Sequence, residues 1–256
     1  MSRDIWDPNV YTRYADERSR PFFELVGRVA AENPGEVVDL GCGTGELTAT
    51  LAERWPEARI RGVDSSAAMI AKAPAGDRLS FAVQDARDWR GEPDVIVSNA
   101  LLQWVPEHRD LLEHWVSWLP ADGWLAFQVP GNFDAPSHRI IRELCRTRWK
   151  EELADTVRDA PVGDPIDYHG RLTALGCAVD AWETTYVHLL PGSVLEWVKG
   201  TALRPMLDRL TPEQQAEFLA DCGRMLDEAY PARPYGTPFP FRRVFVVARK
   251  VGRKIK

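Results

Sequence analysis

The sequence predicts an α/β protein with a doubly wound, mainly parallel sheet, and three observations carry that prediction. Apolar, strand-like runs alternate with helical periodicity from Glu36 to about Leu119. The first run, Glu36-Val37-Val38-Asp39-Leu40, passes directly into Gly41-Cys42-Gly43-Thr44-Gly45, a glycine turn that opens a helix. About twenty residues beyond, Arg59-Ile60-Arg61-Gly62-Val63-Asp64 is a second short strand ending in an acid, at the distance of one strand–helix–strand step.

Each element has its own signal. Residues 1–34 read as an aromatic and charged leader and then a helix, with Phe22, Phe23, Leu25, Val26 and Val29 as its buried stripe. The helix after the glycine turn runs from Glu46 to Trp55, with Leu47, Leu51 and Trp55 near helical spacing. Leu79-Ser80-Phe81-Ala82-Val83 is the third strand and Pro93 to Ala100 the fourth, each completing a strand–helix step joined by right-handed crossovers. Asp122 to Val129 supplies the fifth. After Pro130-Gly131-Asn132 the chain turns helical, and Ala178 to Leu189 is the sixth strand. The segment from Pro191 to about Gly236 is too long for a hairpin turn and carries helices over Ser193–Thr201 and Pro212–Tyr230. Thr211-Pro212-Glu213 starts the second of these with a cap and a proline at the first helical position. Phe239 to Ala248 is the last strand. One large domain is expected, with residues 35–130 as its nucleotide-binding core and residues 131–177 and 191–236 as helical insertions. Ligands of open α/β sheets bind beyond the strand carboxyl ends, so those insertions are expected to form a lid that sets substrate choice.

Composition narrows the partners. A net charge of −6 over 256 residues gives no basic field for nucleic acid or an anionic membrane, and the basic ending Arg249 to Lys256 reads as a solvated tail. Cys42, Cys145, Cys177 and Cys222 have neither C-x-x-C spacing nor a nearby histidine pair, so no metal site and no disulfide framework is expected. Cys42 reads as a small turn residue. The start lacks an apolar signal-peptide core, no run is long enough to span a bilayer, and a cytoplasmic location is expected.

The glycine spacing selects the nucleotide. A dinucleotide fingerprint requires G-x-G-x-x-G, but Glu46 occupies the sixth position and Asp39 stands where an apolar residue is usual, so NAD is disfavoured. Read singly, Asp64 is also compatible with a helix N-terminal residue before Ser65-Ser66, and Asp85 with a turn residue. Taken in order, Val37-Val38-Asp39-Leu40-Gly41-Cys42-Gly43-Thr44-Gly45, the acid Asp64, Gln84-Asp85-Ala86 and Val97-Ser98-Asn99-Ala100 resemble the stations of class I S-adenosylmethionine methyltransferases. That resemblance implies a seven-stranded sheet with an antiparallel last strand, and S-adenosylmethionine as cofactor. It places Asp39 and the glycines beside the methionine half, Asp64 on the ribose hydroxyls, Asp85 near the adenine amino group, and Asn99 near the sulfonium. The implied cofactor set is Asp39, Gly41, Cys42, Gly43, Asp64, Ser65, Met69, Asp85, Ala86 and Asn99.

The remaining motifs sharpen the resemblance. Trp6-Asp7-Pro8-Asn9-Val10-Tyr11, Ala15 to Pro21, Asn99-Ala100-Leu101-Leu102-Gln103-Trp104, Trp197 to Pro205, and Gly236-Thr237-Pro238-Phe239-Pro240-Phe241-Arg242-Arg243 are similar to the trans-aconitate methyltransferase family. The resemblance implies methylation of one carboxylate of trans-aconitate to a monomethyl ester. It points to Tyr11, Gln103, Trp104, Trp197, Arg204, Tyr235, Arg242 and Arg243 as substrate-binding residues. Arginine suits the task because its planar fork donates paired hydrogen bonds to a carboxylate. No catalytic base is expected, since a carboxylate with a pKa of about 4 is already ionised at neutral pH; His138, His169 and His188 are set aside for that reason. Other small di- or tricarboxylates, or malonyl groups on acyl carrier protein, are the alternative acceptors, and a non-catalytic S-adenosylmethionine-binding module is the alternative class. The expected partner is a small tricarboxylate, with no obligate protein partner.

Overall fold

The computed structural model describes residues 15–157 and 162–252. In chain order the elements are α1 (Ala15–Gly27), β1 (Glu36–Leu40), α2 (Glu46–Arg54), β2 (Arg59–Asp64), α3 (Ala67–Ile70), β3 (Leu79–Val83) and β4 (Val95–Asn99). There follow α4 (His108–Trp118), β5 (Trp124–Pro130), α5 (Pro136–Arg146), α6 (Lys150–Leu153), α7 (Pro165–Ala174) and β6 (Cys177–Leu190). The chain closes with α8 (Val194–Lys199), α9 (Arg204–Leu207), α10 (Pro212–Ala229) and β7 (Thr237–Lys250).

The strands form a seven-stranded sheet in the order β3-β2-β1-β4-β5-β7-β6. Strands β1 to β5 pair in parallel, and β7 runs antiparallel to β5, as the sequence led us to expect. The order reverses between β1 and β4, so the crevice where such sheets take ligands lies beyond the carboxyl ends of those two strands. The third step departs from expectation: no helix joins β3 to β4 among the described residues. The stretch 84–94 carries Gly91 and Pro93 and is too short for a crossover helix. It makes a turn instead, with Asp88 N and Trp89 N both donating to Asp85 O, and the buried Trp89 meets Trp118 edge-on at 5.4 Å.

The chain divides into two compact units. One comprises the described residues up to Pro130, Val162–Thr184, and Arg243 onward; the other comprises those within Gly131–Pro161 and Thr185–Arg242. In the first, Val38, Leu40, Ile96, Leu125 and Phe127 of the central strands pack with Leu112 and Trp115 of α4, Tyr168 and Leu172 of α7, and Val244 and Val246 of β7. Burying each such side chain contributes about 1.5–3 kcal/mol. Helix α1 lays Phe22, Leu25 and Val26 inward, but Phe23 is 51% exposed, because it neighbours Phe22 around the helix and falls outside the stripe. In the second unit α10 is begun by a capping box in which Thr211 and Gln214 each accept from the other's backbone N–H.

Candidate cofactor and substrate site

The glycine turn is tied to β2. Gly41 N and Cys42 N donate to Val63 O at 2.8 and 3.0 Å. Gly43 N donates to Asp64 Oδ2 at 3.0 Å, and Ser66 N to Asp64 Oδ1 at 2.9 Å. Both oxygens of Asp64 therefore brace the loop. Gly41, Gly43 and Gly45 all take positive φ, of 82, 57 and 74°. They differ in surroundings. A Cβ on Gly41 would meet Leu101 at 2.9 Å and one on Gly45 would meet Phe81 at 2.5 Å, whereas one on Gly43 would meet nothing within 4 Å. Gly43 is thus the glycine whose bareness leaves space rather than fills it, and α2 begins just after it with no side-chain cap on its first N–H groups. Gly43→Ala should therefore fold, losing about 1–2 kcal/mol of stability to backbone strain, while weakening S-adenosylmethionine binding. Gly45→Ala should lose more stability by its clash with Phe81. Thermal melts beside cofactor titrations separate the two, and Gly43→Ala with unchanged affinity would remove the turn from the site.

Asp39 is the electrostatic centre of this end of the sheet. It is 2% exposed, and its Oδ2 accepts from Thr48 Oγ1 at 2.6 Å. Its Oδ1 has no hydrogen-bond partner among the described residues. Burial raises its pKa to about 7, with the Thr48 hydroxyl opposing and the Asp64 charge adding to the rise. A buried carboxylate with an orphaned oxygen beside a glycine turn, which burial makes costly to ionise alone, calls for a cationic ligand. S-adenosylmethionine carries an ammonium and a sulfonium, so the residues fit it. Asp64→Ala should weaken its binding by about 2–4 kcal/mol through loss of two charged hydrogen bonds. Calorimetry giving wild-type affinity would take Asp64 out of the site.

The rest of the expected cofactor set is mixed. Met69 is buried on α3, where its N donates to Ser66 Oγ at 3.2 Å; Ala86 is buried and Ser65 exposed. Asp85 is engaged by its neighbour: Arg87 donates from Nε to Oδ1 at 2.9 Å and from Nη2 to Oδ2 at 2.6 Å, which holds the carboxyl below its usual range. A ligand amino group at Asp85 would share that carboxylate with a guanidinium.

At the switch point the ends of β4 and β5 carry a polar chain that sequence reading missed in part. Asn99 stands beside Gln128 in the register of β4 and β5. Gln128 Nε2 donates to Asn99 Oδ1 at 2.5 Å, and the buried Arg243 donates from Nη1 to Gln128 Oε1 at 3.2 Å. Ala100 follows with φ 58°, a left-handed conformation that costs a non-glycine residue about 1–3 kcal/mol. It is held there by donation from Ala100 N to Gln128 O at 3.0 Å and from Gln103 Nε2 to Ala100 O at 2.5 Å. Gln103 and the half-buried Trp104 lie in a short 3-10 turn over Leu102–Trp104.

The second unit holds the other expected substrate residues. Trp197 is 2% exposed and packed in an aromatic core, stacked on His188 at 4.7 Å and beside Phe239 and Phe241. Tyr235 is 67% exposed in a turn closed by the Arg233–Gly236 bridge. Arg204 is half-buried at the start of α9. Arg242 N donates to Asn132 Oδ1 at 2.8 Å, and its Nη1 to Gly131 O at 3.2 Å. Tyr11 lies outside the described residues. Of the histidines set aside, His138 is pushed down to about 4 by burial, with nearby Arg142 adding to the shift, and His169 is exposed.

This sheet order, with a glycine turn after β1 and an acid at the end of β2, is the frame on which the class of the protein can be read. Residues 11–175 match the family model described as a methyltransferase domain. Among solved structures, the plantazolicin methyltransferase BpumL in complex with SAH aligns over 96% of this chain and 90% of its own, with a TM-score of 0.54 at 14% identity. Among curated proteins, trans-aconitate 2-methyltransferase of Rhodococcus jostii is 55% identical over 96% of this chain and 99% of its own length. The enzyme of that name from Streptomyces avermitilis is also 55% identical, over 96% and 97%. The chain belongs to the trans-aconitate 2-methyltransferase family.

Proposed function

We propose that the protein transfers the methyl group of S-adenosylmethionine to one carboxylate of trans-aconitate, giving a monomethyl ester. The kinship over nearly the whole chain is the observation that carries this reading, and the site chemistry agrees with it. S-adenosylmethionine supplies an electrophilic methyl group. Asp39, the glycine turn and Asp64 hold the donor, and the end of β4 receives the acceptor. A carboxylate nucleophile arrives ionised, so catalysis consists of aligning its oxygen with the methyl carbon and excluding water. The carboxylates that do not react need cationic partners when desolvated; Arg243 is proposed for that task, with Arg204 and Arg242 of the second unit as further candidates. Gln103, Trp104, Trp197, Tyr235 and Tyr11 remain proposed contacts. The helical insertions at residues 131–177 and 191–236, expected from the sequence to set substrate choice, belong to this proposal. A free small molecule as substrate suits the acidic balance of the chain. We place the reaction in the cytoplasm. No helix among the described residues is long and apolar enough to cross a membrane.

Incubation with labelled S-adenosylmethionine and a panel of di- and tricarboxylates tests the reading: trans-aconitate should be the best acceptor, and a better ester yield from citrate or isocitrate would replace it. The rate at saturating cofactor and acceptor should stay flat from about pH 6 to 8.5, because no group must lose a proton during transfer. A rate that rises with pH through neutrality would instead mark an alcohol or amine acceptor that must lose a proton.

A further inference from the structure

The polar chain at the switch point has a direction imposed by its first member. Arginine carries only donors, so Gln128 must offer Oε1 to Arg243 and is left with Nε2 for Asn99. Nε2 is a donor, so Asn99 must meet it with Oδ1. The second half of the Asn99 side chain, Nδ2, is then turned out of the chain, and it has no hydrogen-bond partner among the described residues. Every amide orientation in the series follows from the guanidinium. The backbone supports the same arrangement: Asn99 and Gln128 are register neighbours on parallel strands, and Arg243 pairs with Pro130, two positions beyond Gln128, so their side chains leave the same face. Gln128 is 1% exposed within the otherwise apolar Trp124–Pro130, a burial that a polar residue sustains only when its hydrogen bonds are made. The left-handed Ala100 next to Asn99 is braced by the backbone of the same Gln128.

We infer that Gln128 is a positioning residue for the methyl acceptor: held by Arg243, it turns Asn99 so that an N–H donor, and not a carbonyl oxygen, faces the incoming carboxylate. The inference rests on the methyltransferase reading and adds the device that makes this end of β4 selective for an anion. An Asn99 amide turned the other way would set its oxygen against the oxygens of the acceptor.

The test is the Gln128→Glu variant of the full chain. Glutamate keeps the shape and pairs with Arg243 but has no donor, so Asn99 must reverse and give Nδ2 to it. The fold and the S-adenosylmethionine affinity should hold, while KM for trans-aconitate rises about tenfold or more, with a smaller change in kcat. Asn99→Ala should lower kcat/KM about tenfold in the wild-type background and by less than about threefold in the Gln128→Glu background, because the donor has already been lost there. Should Gln128→Glu fail to fold, Gln128→Met enters the same cycle; it releases the Asn99 amide without reversing it, so the coupling between positions 99 and 128 should be smaller but still clearly non-additive. A variant with KM within about twofold of wild type, or losses at positions 99 and 128 that multiply as independent effects do, would overturn the inference. Wild-type enzyme run alongside separates the two claims. If it makes no ester from trans-aconitate, the substrate reading fails, and the cycle is read with the acceptor that the carboxylate panel identifies.

Discussion

Arg243→Met should reduce kcat/KM for trans-aconitate by at least about a hundredfold, since truncating a buried partner of a carboxylate costs about 3–5 kcal/mol. Arg243 is 7% exposed, so its charge acts with little screening by water. It also sets Gln128, whose Oε1 would be stranded by the substitution. Arg204 is half-buried and Arg242 donates to Gly131 O, so the matching methionine variants should lose less; a solvated arginine contributes under about 1 kcal/mol. Steady-state kinetics on all three, with cofactor binding checked by calorimetry and folding by thermal melts, ranks them. If Arg243→Met keeps wild-type efficiency, the cation that holds the substrate lies elsewhere, and Arg13, Arg18 and Arg20 of the leader become the next candidates.

Asp39→Asn should stabilise the cofactor-free protein and cripple it as an enzyme. The folded chain raises the Asp39 pKa from 3.8 to about 7, so the fold holds this proton more tightly than the unfolded chain does. Stability from this group is therefore full below about pH 4 and is lost as the pH rises towards 7, a cost of about 4 kcal/mol above neutrality. Asparagine removes the charge but leaves a buried N–H to satisfy, so we expect a gain of about 2 kcal/mol at pH 8 that vanishes near pH 4. Denaturant unfolding at the two pH values measures it. Cofactor affinity should fall by about a hundredfold or more, the cost of leaving a cation without its buried counter-charge. In the wild type, affinity for the cationic cofactor should rise with pH through neutrality as Asp39 ionises. A variant that binds S-adenosylmethionine normally would show that this carboxylate serves only the fold.

What the sequence revealed and what it hid divide along physical lines. Strand β2 and the cap of α10 were legible because periodicity, a terminal acid and a Thr-Pro pair are local signals. Alternation of strands and helices predicts a helix between β3 and β4, but the length and the Gly91 and Pro93 of the connection leave no room for one. Phe23 was counted into a stripe by its apolarity alone, one residue out of phase. The partner of Asp85 sits two positions along, where local side-chain pairing competes with any ligand. Gln128 carries a signal of its own, because an amide in the middle of a buried apolar strand must be hydrogen-bonded to something. Its partners could not be named beforehand, because Asn99 and Arg243 come from strands that only the sheet order makes neighbours.

The glycine turn carries one further consequence, in its cysteine. A methyl donor hot enough to alkylate a carboxylate will alkylate a thiolate faster, so a cysteine in the loop proposed to hold that donor would be a liability to its own enzyme. Cys42 is defused where it stands. Burial, and then the charges of Asp39 and Asp64, push its thiol far above the ordinary range, and its Sγ leans on Gly43 O at 3.7 Å. Burial, reinforced by the same two acids that suit the turn to a cation, favours the neutral thiol over the nucleophilic thiolate.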